Sequence, residues 1–464
     1  MSKTRKLVNR SAAITTAVVI LLGLGFRSSG QTRPPSSYVV ETRGPYNYQK
    51  VLVNAFDGPS LDAFGRWRVS EPQTLFDSKL IGVDDAPLFW DEQLESGGGI
   101  TASTPTAAKP YIDFTSTDVT AGVFTRQTRI RPHYQPGKSQ KFLATAVLEL
   151  ASGTLTGVER RVGMFDDNNG FFFESDAGVM GVTLRSNDTG TPADTTFVQT
   201  AWNLDNMDGD GDKLNPSGIT LDETKAQIYV VDYQWLAIGR VRFGIEIGGI
   251  LTYVHQFSQG NASTIPWTST PNLPVRYQMV TTGSSGVASM RVICSAVISE
   301  GGQDPLGVTT QVSTAGASVT TAVEDTLYAV VGIRLKSTHL GTAVRVIDVG
   351  VQIHTAAEFI EWCLMWNPTV ADTFAYSGVT NSSLERALGA TANTITGGYV
   401  MAGGYAETGG GNAGGGTSTK TLETSLMLGS LIDGTQDEIV LAVRAIGGVS
   451  AVTLEGAISV RESL

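Results

Sequence analysis

The feature that most narrows the folds open to this chain is the recurrence of short runs in which apolar and polar residues alternate with period two, each bounded by glycine, asparagine, aspartate or proline. Such a run puts one face of a strand on a core and the other in solvent, whereas a helix needs a 3.6-residue period that is nowhere sustained here. Between Pro110 and Gly301 the runs are 123–131, 141–150, 161–166, 171–175, 227–236, 240–247, 250–257 and 289–298; beyond Gly301 they are 325–335, 343–353, 359–366, 438–445 and 451–460. AspAspAsnAsnGly (166–170) separates two apolar runs and reads as a hairpin, because Asn and Gly accept the positive φ of primed turns; Gly248-Gly249 supplies another. The expected fold is mainly β: two β-sandwich or jelly-roll-like domains, 62–303 (jelly-roll or lectin-like) and 304–464, preceded by an extended N-terminal arm, 1–61.

Within that frame some segments stand apart. Residues 62–72 alternate and end at Pro72, which reads as a short strand leaving the arm. The polar stretch from Gly301 to about Ser318 reads as a linker. Residues 397–416 hold ten glycines, and so many flexible residues predict a long loop, mobile or held by a partner. At the N-terminus, Lys3, Arg5, Lys6 and Arg10 precede the apolar run 12–26, and Ser28 and Gly30 follow. This is the layout of a secretory signal cleaved after Gly30. As a helix the run would reach about 22 Å, short of a hydrocarbon core of about 30 Å, so a full membrane span is the weaker reading. The alternative is an uncleaved arm buried under neighbouring subunits, and membrane contact through 12–26 stays open between the two.

Composition excludes some functions. A formal charge of -11, from 33 Lys and Arg against 44 Asp and Glu, repels a phosphate backbone, and no basic patch lies beyond the first ten residues. No nucleic-acid partner is expected. Cys294 and Cys363, the only cysteines, each sit in an apolar run and read as small buried hydrophobes. The four histidines, His133, His255, His339 and His354, stand beside no GxSxG elbow, HExxH helix or CxxC pair.

Three constellations invite a chemical test. Asp208, Asp210 and Asp212 match the first three ligands of an EF-hand-type calcium loop, but Lys213 stands where the loop needs Gly and Ile219 where it needs a bidentate Glu. They read as an Asp/Gly turn, the alternative being a calcium site completed by other loops; no other cofactor is expected. Glu159, Asp166, Asp167 and Glu174 flank one hairpin, and paired carboxylates can cleave glycosides, although turn chemistry alone explains the aspartates. Trp202, Tyr229, Tyr233, Trp235 and Tyr253 all fall in the first sandwich, and alternation puts Tyr229, Tyr233 and Trp235 on one face, as core or as a sugar platform. No catalytic residue is assigned.

The run AspAlaPheGlyArgTrpArgValSerGluProGlnThrLeuPheAspSerLys (62–79) resembles a string that opens the folded part of a group of tailed-bacteriophage virion proteins. Similar stretches occur at 134–140, 161–174, 217–222 and 269–277, so the likeness extends over about residues 56–303; the hydrophobic N-terminus departs from it. The resemblance implies a non-enzymatic virion structural protein, a capsid-associated minor or decoration component or a fibre, located in the virion with other capsid or tail proteins as partners. A homo-oligomer is expected, a trimer by analogy with viral appendages, with a host-surface glycan as a further partner. The alternative is a secreted or membrane-anchored glycan-binding or glycan-cleaving β-sandwich protein.

Overall fold

Each of the alternating runs becomes an antiparallel strand, and the strands stack into two sandwiches. The computed structural model describes residues 72–463 apart from breaks at 82–87, 96–98, 117–119, 153–155, 284–286, 356–357, 409–416, 422–426 and 449–450. The arm 1–61, its apolar run 12–26 and nearly all of the strand expected at 62–72 lie outside the described residues. Among those described, helical structure is confined to two 3-10 turns, Gln199–Ala201 and Ser337–His339.

In the first sandwich an eight-stranded sheet runs Ile250–Phe257, Val241–Ile247, Gln227–Tyr233, Ser139–Ser152, Ala288–Glu300, Ile112–Ser116, Ile100–Ala102, with Gln73–Ser78 also paired to Ala288–Glu300. Its partner, seven-stranded, runs Ala193–Val198, Val179–Ser186, Gly170–Asp176, Val158–Phe165, Val275–Thr282, Ala121–Thr128, Trp90–Glu95. Alternation decides what lies between them. Phe171 and Phe173 point inward from one sheet and meet Tyr233 and Tyr229 of the other at ring distances of 4.7 and 4.9 Å. Phe243 closes on Phe173 edge to face at 5.2 Å.

The second sandwich pairs a five-stranded sheet (Val308–Ser313, Thr453–Ser463, Ala343–Ile353, Thr417–Thr421, with Val319–Thr320) with a six-stranded one (Ser377–Gly378, Leu384–Leu388, Tyr328–Leu335, Glu438–Ile446, Phe359–Trp366, Tyr399–Glu407). Val346, Val351 and Ile458 of the first pack with Ile333, Trp362 and Leu441 of the second. All described residues belong to one compact unit, Ser60–Leu464. Across the junction Arg129 Nη1 reaches Asp437 Oδ1 at 2.7 Å, Asn272 Nδ2 donates to the Gly341 carbonyl at 2.9 Å, and the Ser430 amide donates to the Arg129 carbonyl at 3.0 Å.

Three local readings change. The expected linker contains the strand Val308–Ser313, which pairs with Thr453–Ser463. Only Val312 of it is buried, and one apolar anchor cannot display a period. The glycine-rich segment is not all loop: Tyr399–Glu407 is a strand against Phe359–Trp366, setting Ala402 opposite Leu364, Gly404 opposite Trp362 and Ala406 opposite Ile360. Small residues there make room for large ones, so glycine marks packing rather than flexibility. Residues 409–416 lie outside the description. A Cβ on Gly404 would stand 2.9 Å from the Trp362 indole, so Gly404→Val should overpack the second core and cost about 1–3 kcal/mol, read as a fall in chemical-denaturation midpoint. An unchanged midpoint would show that the indole has room to move.

The hairpin at 166–170 forms, but by another mechanism than the primed turn. None of residues 166–169 has positive φ; the Asp166 carboxylate instead accepts the amides of Asn168 and Asn169, each at 2.9 Å, in an Asx turn. Gly248 and Gly249, at φ 62 and 81, do make the left-handed pair expected of them.

Candidate ligand cleft between the sandwiches

Pairing the sheets brings together loops far apart in sequence. The segment after Ala121–Thr128 carries Arg131, His133, Tyr134 and Lys138; the 166–169 hairpin loop and residues 270–272 join it from the first sandwich, and the turn Ser337–His339 with residues 340–342 from the second. They enclose a cleft of about 870 Å³, within the range of about 300–1,000 Å³ usual for small-molecule sites.

One wall is aromatic and held at several points. Tyr134 is buried, stacked on Tyr233 at 5.8 Å and edge to face with Trp235 at 6.5 Å. The Trp235 amide donates to the Tyr134 hydroxyl at 2.9 Å, and its indole Nε1 donates to Thr268 Oγ1 at 3.1 Å. The amide bond holds the backbone, and the indole bond with the Tyr134 contact orients the half-buried ring. Asn272 ties this wall to the far side, accepting the Tyr134 amide at 2.9 Å while donating to Gly341.

The charges on the rim cancel in pairs. Arg131 Nη2 lies 3.4 Å from Asp166 Oδ2, and Lys138 Nζ lies 2.8 Å from Asp304 Oδ2. His133 Nδ1 is buried without a hydrogen-bond partner. Burial, reinforced by the Arg345 charge, holds its imidazole below the ordinary histidine pKa, so the ring is neutral near pH 7. His339 faces the same cleft with Nδ1 2.8 Å from Thr338 Oγ1.

The residues singled out in the sequence are distributed differently. Asp208, Asp210 and Asp212 sit in one loop, but their carboxylates accept that loop's own groups: Asn215 Nδ2 and the Asp210 amide at Asp208, the Asp212 amide at Asp210, the Leu214 and Asn215 amides at Asp212. Among the described residues no group of three or more His, Cys, Asp or Glu is placed to hold a metal ion. The four hairpin carboxylates each meet an arginine. Arg161 binds both Glu159 and Glu174, Arg276 holds Asp167 at 2.5 Å, and Arg131 holds Asp166. The Arg161 guanidinium also lies over Phe172 and that of Arg276 over Phe165, rings that point away from the core yet are fully buried.

Of the aromatic set, Trp202, Tyr229 and Tyr233 belong to the core, and the half-buried Tyr253 donates its hydroxyl to Asp232 at 2.8 Å. Trp235 alone of the five reaches the cleft. His255 stacks on Phe197 at 4.6 Å, and burial lowers it to a pKa of about 4; His354 stands beside Glu455 on the second sandwich. The cysteines are free and lie in different sandwiches. Sequence reasoning missed Tyr134, Lys138, Asn272 and Asp304 as cleft residues. Two of the stretches carrying the virion-protein resemblance, 134–140 and 269–277, contain three of them.

The sequence matches no family model and no curated protein. Among solved structures it is similar to an endo-1,3-beta-glucanase from Streptomyces sioyaensis, with 11% identity over 49% of this chain and 96% of that one and a TM-score of 0.31. A legume lectin-like domain from Entamoeba histolytica shares 11% identity over 45% of this chain and 89% of its own, at a TM-score of 0.26. A Bacillus licheniformis beta-glucanase shares 8% over 48% and 96%, at 0.29.

Proposed function

We propose that this chain is a non-enzymatic structural component of a tailed-bacteriophage particle, attached through its N-terminal segment and displaying the two sandwiches. The observation that carries this reading is the string 62–79, whose second half is built into the fold. Gln73–Ser78 lies antiparallel on the end of Ala288–Glu300. Phe76 is buried, and Ser78 Oγ accepts the Trp90 indole N–H at 3.2 Å. A segment so placed extends the edge of the first sandwich's sheet, and the string that carries the resemblance is thereby part of the folded body. Other capsid or tail proteins and further copies of the chain, as a trimer, are the partners this reading supplies. Peptide mass spectrometry of purified particles encoding the protein should recover it at a fixed copy number. Its absence from particles that remain infectious would overturn the proposal.

The cleft's aromatic wall and paired charges favour glycan contact as a second reading, in which the chain is a secreted or membrane-anchored binding protein. Intact mass separates the two, since loss of residues 1–30 marks export.

A further inference from the structure

We infer that the cleft between the sandwiches binds an uncharged oligosaccharide, with Trp235 as the stacking platform and His133 as a polar contact on the same wall. The inference rests on the glycan-contact reading and gives it a place and a ligand class.

Three observations select that class. A phosphate, sulfate or nucleic-acid ligand needs cations free to pair with it, but both cations on the wall already have carboxylate partners, Asp166 for Arg131 and Asp304 for Lys138. A wholly apolar ligand would take water from the paired charges of the rim and from the exposed Ser337, Thr338 and His339 without replacing its hydrogen bonds, a cost that polar groups buried without partners always carry. A sugar supplies what both lack. Its hydroxyls donate and accept, as the side chains of the rim do, and its C–H faces lie against an aromatic ring.

The site is also rigid enough to be selective. The Trp235 ring is held through its indole N–H and its backbone through its amide, and Asn272 bridges the two sandwiches. Little side-chain freedom is then lost on binding, which favours recognition of a weakly interacting neutral ligand.

The test uses the full chain. Calorimetry or saturation-transfer NMR would be run with cellohexaose, laminarihexaose and α-mannohexaose as neutral probes, and with a hyaluronan hexasaccharide as the anionic one. Binding of at least one neutral probe is expected, unchanged when salt is raised, and weakened at least tenfold by Trp235→Ala. Because that substitution also removes packing, Thr338→Trp is the second variant: Thr338 is exposed on the opposite lip, and a bulky ring there obstructs the cleft without touching either core. It should weaken binding equally while leaving the unfolding curve in place. Neutral binding unaffected by Thr338→Trp would overturn the cleft assignment and leave the glycan-contact reading standing. Binding by the anionic probe alone, lost with salt, would overturn the ligand class, and binding by none would overturn both. None of these outcomes touches the particle assignment, which is tested on virions.

Discussion

Asp437→Ala should destabilise the chain by about 3–5 kcal/mol, more than removing a surface ion pair, because the loss falls on a charge with nowhere else to go. Arg129 and Asp437 meet at 2.7 Å across the junction of the sandwiches, with side chains 10% and 2% exposed. Asn367 donates to the same carboxylate at 2.7 Å, and the guanidinium lies 5.0 Å from the centre of the Trp366 ring. Burial pushes the Asp437 carboxyl up, with Arg129 pulling against it. The bridge therefore offsets much of its own desolvation instead of adding large net stability, and its importance appears only when one partner is taken away. Alanine leaves the Arg129 guanidinium buried without a counter-charge. The double variant Arg129→Met with Asp437→Leu, which removes both charges and keeps the volume, should recover most of the loss. Urea denaturation of the three proteins decides it: a single variant within about 1 kcal/mol of the parent would show that water reaches Arg129 in the folded state.

The same junction explains what could be read from the sequence. Period-two runs such as 141–150 and 343–353 became the central strands Ser139–Ser152 and Ala343–Ile353, since both faces of a strand are encoded in consecutive residues. Signals that depend on a partner strand were not legible. Ala402, Gly404 and Ala406 look like loop until Ile360, Trp362 and Leu364 stand opposite them. Ala177 with Gly178, at φ 50 and 79, turns the Gly170–Asp176 and Val179–Ser186 hairpin although alanine is no turn signal. The cleft lay further out of reach, because Lys138 and Asp304, or Asn272 and Gly341, become neighbours only after both sandwiches have formed. At 166–170 the turn was legible as position and not as mechanism, the Asp166 carboxylate doing what a positive φ was expected to do, whereas Gly248 and Gly249 turn as their sequence implied.

Glu149→Gln is expected to cost about 3–5 kcal/mol at pH 7 and to reduce the pH-dependent contribution of a neighbouring carboxyl. Alternation turns Arg160 into the first sandwich, where its side chain is fully buried, and Glu149 of the facing sheet reaches it at 2.5 Å while also accepting the Ser175 hydroxyl. Glutamine keeps the shape and removes the counter-charge, leaving a buried guanidinium whose Nε and Nη2 have no hydrogen-bond partner. Beside this pair stands the half-buried Glu223, whose pKa is raised to about 7 by burial and then by the Glu149 charge, with Arg160 opposing. A carboxyl raised in the folded state favours folding most when protonated. Its contribution is complete below the unfolded value of 4.5 and is lost as pH climbs through about 7. At about 1.4 kcal/mol per pKa unit the ceiling is roughly 3 kcal/mol, less what solvent screens at a half-buried position. His255, lowered to about 4, and His133, also lowered, contribute in the opposite sense over the same window, so the Glu223 effect is read as a difference between variants: the parent should lose stability relative to Glu223→Gln between pH 4.5 and 7, and Glu149→Gln should lose less relative to it, because the like charge that helps hold Glu223 up is gone. Denaturation midpoints at pH 4.5, 5.5, 6.5 and 7.5 measure all three. A parent that gains stability relative to Glu223→Gln across the window would show that Glu223 is ionised and paired with Arg160, in which case the fully buried arginine has two carboxylate partners and the cost of losing Glu149 should fall below about 1 kcal/mol.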